Sequence, residues 1–171
     1  KHRGRGCLTA LIVVALIAAF CVFIIKDSRD ELEISRYEVA SSKLSESFDG
    51  FTIVQLSDLH GAQFGEDGTE LVDKVRELAP DIIALTGDFV TDEGDLEAEE
   101  KLAPRLTEIC PVYFVSGNHE FGSGLAAEVR NIMESAGVKY LSNEYLTISR
   151  GEDHILLGGV EDPNAYADML T

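Results

Sequence analysis

Three short apolar segments recur along this chain, and each ends at a cluster of polar residues. Residues 51–56, 81–86 and 111–115 are rich in apolar and β-branched side chains, which is typical of buried strands. Stretches with apolar residues at helical spacing lie between them. Strands that alternate with helices predict an α/β fold, built on a mostly parallel sheet with helices on both faces. Ligands of such sheets bind beyond the carboxyl ends of the strands.

Two of the connecting helices are predicted before the third strand. The first covers residues 69–79 and ends at a proline. The second covers residues 95–109 and contains Pro104, which is expected to kink or split it. The second helix and its approach are strongly acidic, and we expect a solvated face formed by Glu93, Asp95, Glu97, Glu99 and Glu100.

The last part of the chain combines one helix with further strands. Residues 123–136 have helical spacing, with Ser123 as the expected N-cap and Gly137 as the C-terminal cap. Three short apolar runs then predict further strands, and two of them could form a hairpin. These runs are residues 138–141, 145–149 and 154–157.

The polar clusters that follow the first three strands carry the chemistry. They are residues 57–60, 86–88 and 117–120. Asp58, Asp88 and Asn118 within them stand at equal intervals of 30 residues, which is about the length of one strand–helix–strand unit. The spacing therefore brings these three side chains to one edge of the sheet, side by side.

The side chains at this edge suit a metal site. Two carboxylates, the imidazoles of His60 and His119, and the amide oxygen of Asn118 converge there. Such a mixture suits Mn²⁺, Fe or Zn²⁺. Two cations about 3.5–4 Å apart clamp a phosphate and generate hydroxide at neutral pH. Asp88, on the middle strand, is placed to bridge such a pair.

The same blocks resemble a known family. The sequences IVQLSDLH, DIIALTGDFV and PVYFVSGNHE look like the first three blocks of the calcineurin-like metallophosphoesterases, above all their membrane-anchored bacterial branch. LLGGVEDP, at residues 156–163, is similar to a further strand and loop of that branch. The resemblance covers residues 37–171 and implies the N-terminal half of an α/β metallophosphoesterase sandwich.

The resemblance implies a role for each matching residue. Asp58 and His60 would hold the first metal, Asp88 would bridge both metals, and Asn118 would bind the second through its amide oxygen. His119 would not bind metal and would act as an acid beside the leaving-group oxygen or the phosphate. A metal-bound hydroxide would then hydrolyse a phosphate ester or a pyrophosphate.

Glu120, in the third matching block, is expected to face outward or to support the ligands rather than to bind metal. The pattern departs from the family in its histidines. The family completes its centre with later histidines, including a Gly-His-x-His block, whereas only His154 remains here, and we expect it to be exposed and structural. The chain is therefore expected to be a fragment, inactive alone and with an exposed apolar sheet face. The alternative is a catalytically inactive, membrane-anchored binding or scaffold protein.

The N-terminal segment predicts a membrane anchor. Residues 7–25 carry no charge, and a helix of this length spans about 28 Å, close to a bilayer's hydrocarbon thickness. Residues 1–6 are basic, which predicts a cytoplasmic tail and an extracytoplasmic catalytic domain on the plasma membrane. Residues 26–47 would be a linker and residues 48–171 the metallophosphoesterase domain. A cleaved signal peptide remains the alternative.

Charge limits the partners. The chain has 31 acidic and 14 basic residues and a net charge of −17, which argues against binding nucleic acid. The charge is compatible with a local metal-filled site that accepts phosphates. We therefore expect a phosphorylated small molecule or a lipid-linked phosphate as substrate.

Overall fold

The computed structural model describes residues 12–18, 20 and 32–163, and the chain divides into two compact units, Lys1–Ser35 and Arg36–Thr171. Residues 12–18 and 20 of the first unit are helical. The anchor was predicted at residues 7–25, and its other residues lie outside the described part of the chain. Within the described part of the chain, no helix is both long enough and apolar enough to cross a bilayer.

A parallel sheet of four strands organises the described part of the second unit. Its strands are β1 (Ile53–Leu56), β2 (Ile82–Leu85), β3 (Val112–Phe114) and β4 (Lys139–Tyr140), hydrogen-bonded in that order. The predicted strands are confirmed, and each is one or two residues shorter at its ends than predicted. Their register aligns the carboxyl ends of β1, β2 and β3, since Leu56 lies opposite Leu85 and Leu85 opposite Phe114.

Within residues 32–163, four helices accompany the sheet. They are α1 (Thr69–Glu77), α2 (Leu96–Thr107), α3 (Asn118–Gly122) and α4 (Ala126–Ser135), with single 3₁₀ turns at Glu46–Phe48, Glu66–Gly68 and Glu93–Asp95. The connection from each parallel strand to the next is right-handed in nearly all proteins. Because the strands are adjacent in chain order, such connections place all their helices on one face of the sheet.

The two faces of the sheet differ in burial. Val54, Ile83 and Val112 share a face and are 8%, 0% and 2% exposed. On the other face Ile53 is 51% exposed and Gln55 is exposed, whereas Ile82 is 2% exposed. Within the described residues the strand order places the connecting helices on one face of the sheet, whereas the sequence predicted helices on both faces. The second face is exposed at Ile53 of β1 and buried at Ile82 of β2.

The helix α2 runs through Pro104 as one helix, so the predicted split is absent. Proline lacks the N–H that would bond to the carbonyl of Glu100. Glu100 is exposed, so water can solvate that carbonyl. Leu102 and Leu106 are 5% and 0% exposed and hold the helix against the core on both sides of the proline.

The third predicted helix is two helices. The helix α3 begins directly after Gly117, and three residues separate its end from the start of α4. Ser123 caps the end of α3, and its hydroxyl donates to the carbonyl of His119 at 2.8 Å, so its prediction as an N-cap is wrong. Gly137, with φ of +87°, follows the end of α4 as predicted.

A hairpin completes the described unit. Its strands, β5 (Glu144–Arg150) and β6 (Asp153–Gly159), are antiparallel, which confirms the predicted hairpin. His154 is exposed on β6, as expected. The hairpin ends against the core, because a Cβ at Gly159 would lie 2.3 Å from the Cβ of Leu141.

Candidate metal centre

The loops after β1 and β2 are joined by their backbones. Three N–H···O=C bonds of 2.8–3.1 Å link residues 58–61 to residues 87–89. They run from Asp58 to Gly87, from His60 to Asp88, and from Gly61 to Phe89. The first two polar clusters therefore form one continuous layer beyond the sheet edge.

The loop after β3 lies against that layer, and two glycines make this possible. A Cβ at Gly87 would lie 2.3 Å from the backbone nitrogen of Gly117, and a Cβ at Gly117 would lie 2.2 Å from Oδ1 of Asp88. The N–H of His119 donates to that same Oδ1 at 2.9 Å. No side chain fits between the second and third clusters, so the three clusters are held at close range.

Three of the predicted metal ligands adopt left-handed backbone conformations. The φ angles of Asp58, His60 and Asp88 are +57°, +47° and +57°. Such conformations are uncommon for residues with a side chain and cost about 1–3 kcal/mol each. They persist where the surroundings hold them, as the backbone bonds between the two loops do here.

The side chains of His60, Asp88 and His119 form a compact donor set. Each offers one possible ligand atom, and these atoms lie within 4.8 Å of one another. The rings of His60 and His119 meet edge to face, with centroids 4.5 Å apart. Oδ1 of Asp58 lies 4.0 Å from Nε2 of His60, at the border of this set. Imidazole nitrogens with carboxylate oxygens fit Mn²⁺, Fe or Zn²⁺.

Asn118 and His119 also line a cleft beside the donor set. The cleft has a volume of about 310 Å³, and its walls include Thr91, Gly122 and Ser123. Asn118 is exposed at the start of α3, and His119 is half-buried. All five predicted site residues thus lie in the three clusters at one edge of the sheet, open to a ligand from solvent.

Glu120 has a role that its sequence position only partly indicated. It is 0% exposed, and both carboxylate oxygens accept backbone N–H groups. The four donors belong to Asp88, Phe89, Val90 and Gly117, at 2.7–3.2 Å. Glu120 therefore supports the ligand loops and does not face outward. Glutamate at the third position of a helix, bonded back to the N-cap, is a known helix-start pattern that could have revealed it.

Glu99 contradicts the expectation of a fully solvated acidic face. It is 2% exposed, and its Oε2 has no hydrogen-bond partner. Burial, and then the charges of Glu120 and Asp95, raise the pKa of Glu99 to about 8. Glu99 lies three residues before Leu102 and seven before Leu106, so it shares their buried face of α2. This helical spacing is the sequence signal that could have predicted its burial.

An α/β sheet with such a donor set beyond its strand ends defines a metal-binding α/β domain. Residues 51–166 match the family model described as calcineurin-like phosphoesterase. The chain belongs to this family, as its motifs predicted.

Curated relatives agree with this assignment. A transmembrane protein with metallophosphoesterase domain from Danio rerio is 29% identical over 94% of this chain and 38% of its own length. The uncharacterized metallophosphoesterase YkuE of Bacillus subtilis is 28% identical over 69% of this chain and 43% of its own. UDP-2,3-diacylglucosamine pyrophosphatase LpxG of Chlamydia muridarum is 29% identical over 57% of this chain and 31% of its own. The chain spans less than half the length of these relatives.

Proposed function

We propose that this chain contributes to a membrane-anchored, metal-dependent phosphoesterase that hydrolyses a phosphate ester or a pyrophosphate. The observation that carries the proposal is the convergence of two proposed ligands, His60 and Asp88, with the proposed proton donor His119, since one polar atom of each lies within 4.8 Å of the others at the carboxyl edge of the sheet. Family membership supports the same reaction class.

The proposed site would hold two divalent cations of the Mn, Fe or Zn type. Asp58 and His60 would hold one, Asn118 would hold the other through its amide oxygen, and Asp88 would be shared by both. Such cations would supply Lewis-acid charge for the phosphate and activate water at neutral pH. The left-handed backbones of three ligands and the four N–H bonds to Glu120 support this assignment, because they fix the ligand loops before any cation binds.

His119 is proposed as the proton donor to the leaving group. Its ring is half-buried beside the cleft, and its backbone N–H is bonded to Asp88 at 2.9 Å. That bond fixes the start of α3 next to the proposed bridging ligand. A proton held on the imidazole at this point would be delivered to the oxygen that departs from phosphorus.

The proposed substrate is a phosphorylated small molecule or a lipid-linked phosphate. One relative is named a pyrophosphatase of UDP-2,3-diacylglucosamine, which carries both a pyrophosphate and acyl chains. Residues 7–25 are proposed as the anchor, with residues 1–6 in the cytoplasm and the catalytic domain outside. Support comes from the charge-free segment and from the relative named a transmembrane protein.

Metal titration tests the proposal. We expect Mn²⁺ to bind the chain in isothermal titration calorimetry and to raise its unfolding temperature. Asp88→Asn should abolish both effects, because it removes the bridging charge and retains the Oδ1 acceptor for the N–H of His119. Asp73→Asn, on the exposed surface of α1, is the matched control and should change neither.

Turnover separates the enzyme from the scaffold alternative. The full-length protein with Mn²⁺ should hydrolyse p-nitrophenyl phosphate or bis-p-nitrophenyl phosphate, and His119→Asn should reduce turnover while Mn²⁺ still binds. A full-length protein that neither binds Mn²⁺ nor turns over either compound would exclude the proposal. Metal binding with no turnover would favour the scaffold.

A further inference from the structure

The two ring nitrogens of His60 have different partners. Nε2 lies 4.0 Å from Oδ1 of Asp58, which is another predicted metal ligand. Nδ1 lies 3.2 Å from the hydroxyl oxygen of Thr91, which is on the loop after β2. The ring of His60 therefore spans from the proposed metal ligands to a hydroxyl group to which no role has been assigned.

Thr91 is itself held in place by its backbone. Its N–H donates to Oδ2 of Asp95 at 2.7 Å, and the N–H of Asp92 donates to the same oxygen at 3.2 Å. The side chain of Asp95 also lies directly over Gly61, where a Cβ would be 2.0 Å from Oδ1. Asp95 thus contacts both the segment that carries Thr91 and the residue that follows His60.

The direction of the hydrogen bond follows from the chemistry of a ligating histidine. A histidine that binds metal through Nε2 carries its proton on Nδ1, and its orientation depends on an acceptor for that proton. The hydroxyl oxygen of Thr91 is at hydrogen-bond distance from Nδ1. A threonine hydroxyl can accept this bond and donate its own hydrogen to water.

We propose that Thr91 is a positioning residue, whose hydroxyl accepts the Nδ1–H of His60 and holds the Nε2 lone pair toward the metal site. The inference rests on the proposed function and extends it from the ligands to the group that orients one of them. Loss of such a supporting partner costs about 10- to 100-fold in metal affinity.

The test compares three variants with the unmodified chain. Thr91→Val replaces the hydroxyl by a methyl group and retains both the branched shape and the N–H to Asp95. Thr91→Ser restores the hydroxyl. Thr147→Val, at an exposed position on β5, is the matched control. Mn²⁺ affinity is measured by calorimetry, and the ring orientation of His60 is determined in metal-free crystals.

We expect Thr91→Val to weaken Mn²⁺ binding by about tenfold or more and to rotate the His60 ring, whereas Thr91→Ser and Thr147→Val change neither. Equal Mn²⁺ affinity in Thr91→Val and the unmodified chain would overturn the inference and leave the proposed function standing. If the unmodified chain binds no Mn²⁺, the proposed function fails, and the metal-free crystals decide the inference alone. A His60 ring that keeps its orientation in metal-free crystals of the Thr91→Val variant would then reject the role of Thr91.

Discussion

Replacement of Glu120 by glutamine should destabilise the domain severely, although the side chain keeps its size. Each carboxylate oxygen of Glu120 accepts two backbone N–H groups. Glutamine offers one acceptor oxygen, and its amide nitrogen would face two further donors. Two bonds to a charged acceptor are lost, at about 1.5–3 kcal/mol each, so we expect a loss of about 3–6 kcal/mol. Such a loss is a large fraction of the stability of a typical domain, which is about 5–15 kcal/mol.

Urea unfolding followed by circular dichroism measures this loss. Glu152→Gln, exposed in the turn between β5 and β6, is the matched control and should change the free energy of unfolding by less than about 0.5 kcal/mol. If Glu120→Gln does not fold, hydrogen exchange of the unmodified chain replaces it, and the amides of Phe89 and Val90 should be strongly protected. A loss below about 1 kcal/mol, or rapid exchange of these amides, would refute the assigned role of Glu120.

Three further predictions follow from single contacts. The pKa of Glu99 is raised from 4.5 to about 8, so the folded state holds a proton that the unfolded state releases. The free energy of unfolding of the unmodified chain should therefore fall from pH 5 to pH 8, by up to about 1.4 kcal/mol per pH unit relative to Glu99→Gln. Urea unfolding of both proteins at each pH measures this difference. Free energies of unfolding that change with pH in parallel in the two proteins would contradict the burial of Glu99. Gly117→Ala should weaken Mn²⁺ binding, because its Cβ would lie 2.2 Å from Oδ1 of Asp88. Gly122→Ala should leave Mn²⁺ binding unchanged, because a Cβ there would have no atom within 4 Å. Equal Mn²⁺ affinities of the two variants by calorimetry would show that the loops after β2 and β3 separate easily. His154→Gln should leave Mn²⁺ affinity unchanged, since His154 is exposed on the hairpin, and a lower affinity would place it in the site.

The strands and the site edge could be predicted because both depend on local chemistry. A run such as residues 81–86 is apolar enough to be a strand in almost any context. The equal intervals between Asp58, Asp88 and Asn118 then determine their common edge, because parallel strands repeat one unit at a time. The prediction needed no knowledge of which helices cover the sheet.

Other features depend on contacts between distant parts of the chain. Glu99 lies within an acidic sequence and is buried only because α2 packs with that face inward. The position of the connecting helices on one sheet face follows from the strand order, which the spacing of motifs does not specify. The acceptor role of Thr91 depends on the pairing of two loops 31 residues apart. Each of these requires the tertiary structure.

Crystals of the full-length protein grown with Zn²⁺ test the central claim most directly, through an anomalous difference map at the zinc edge. We expect a peak about 2.0–2.2 Å from a ring nitrogen of His60 and a carboxylate oxygen of Asp88. A map in which zinc occupies other positions, with the side chains of His60 and Asp88 free of it, would contradict the claim that these strand ends form a metal centre.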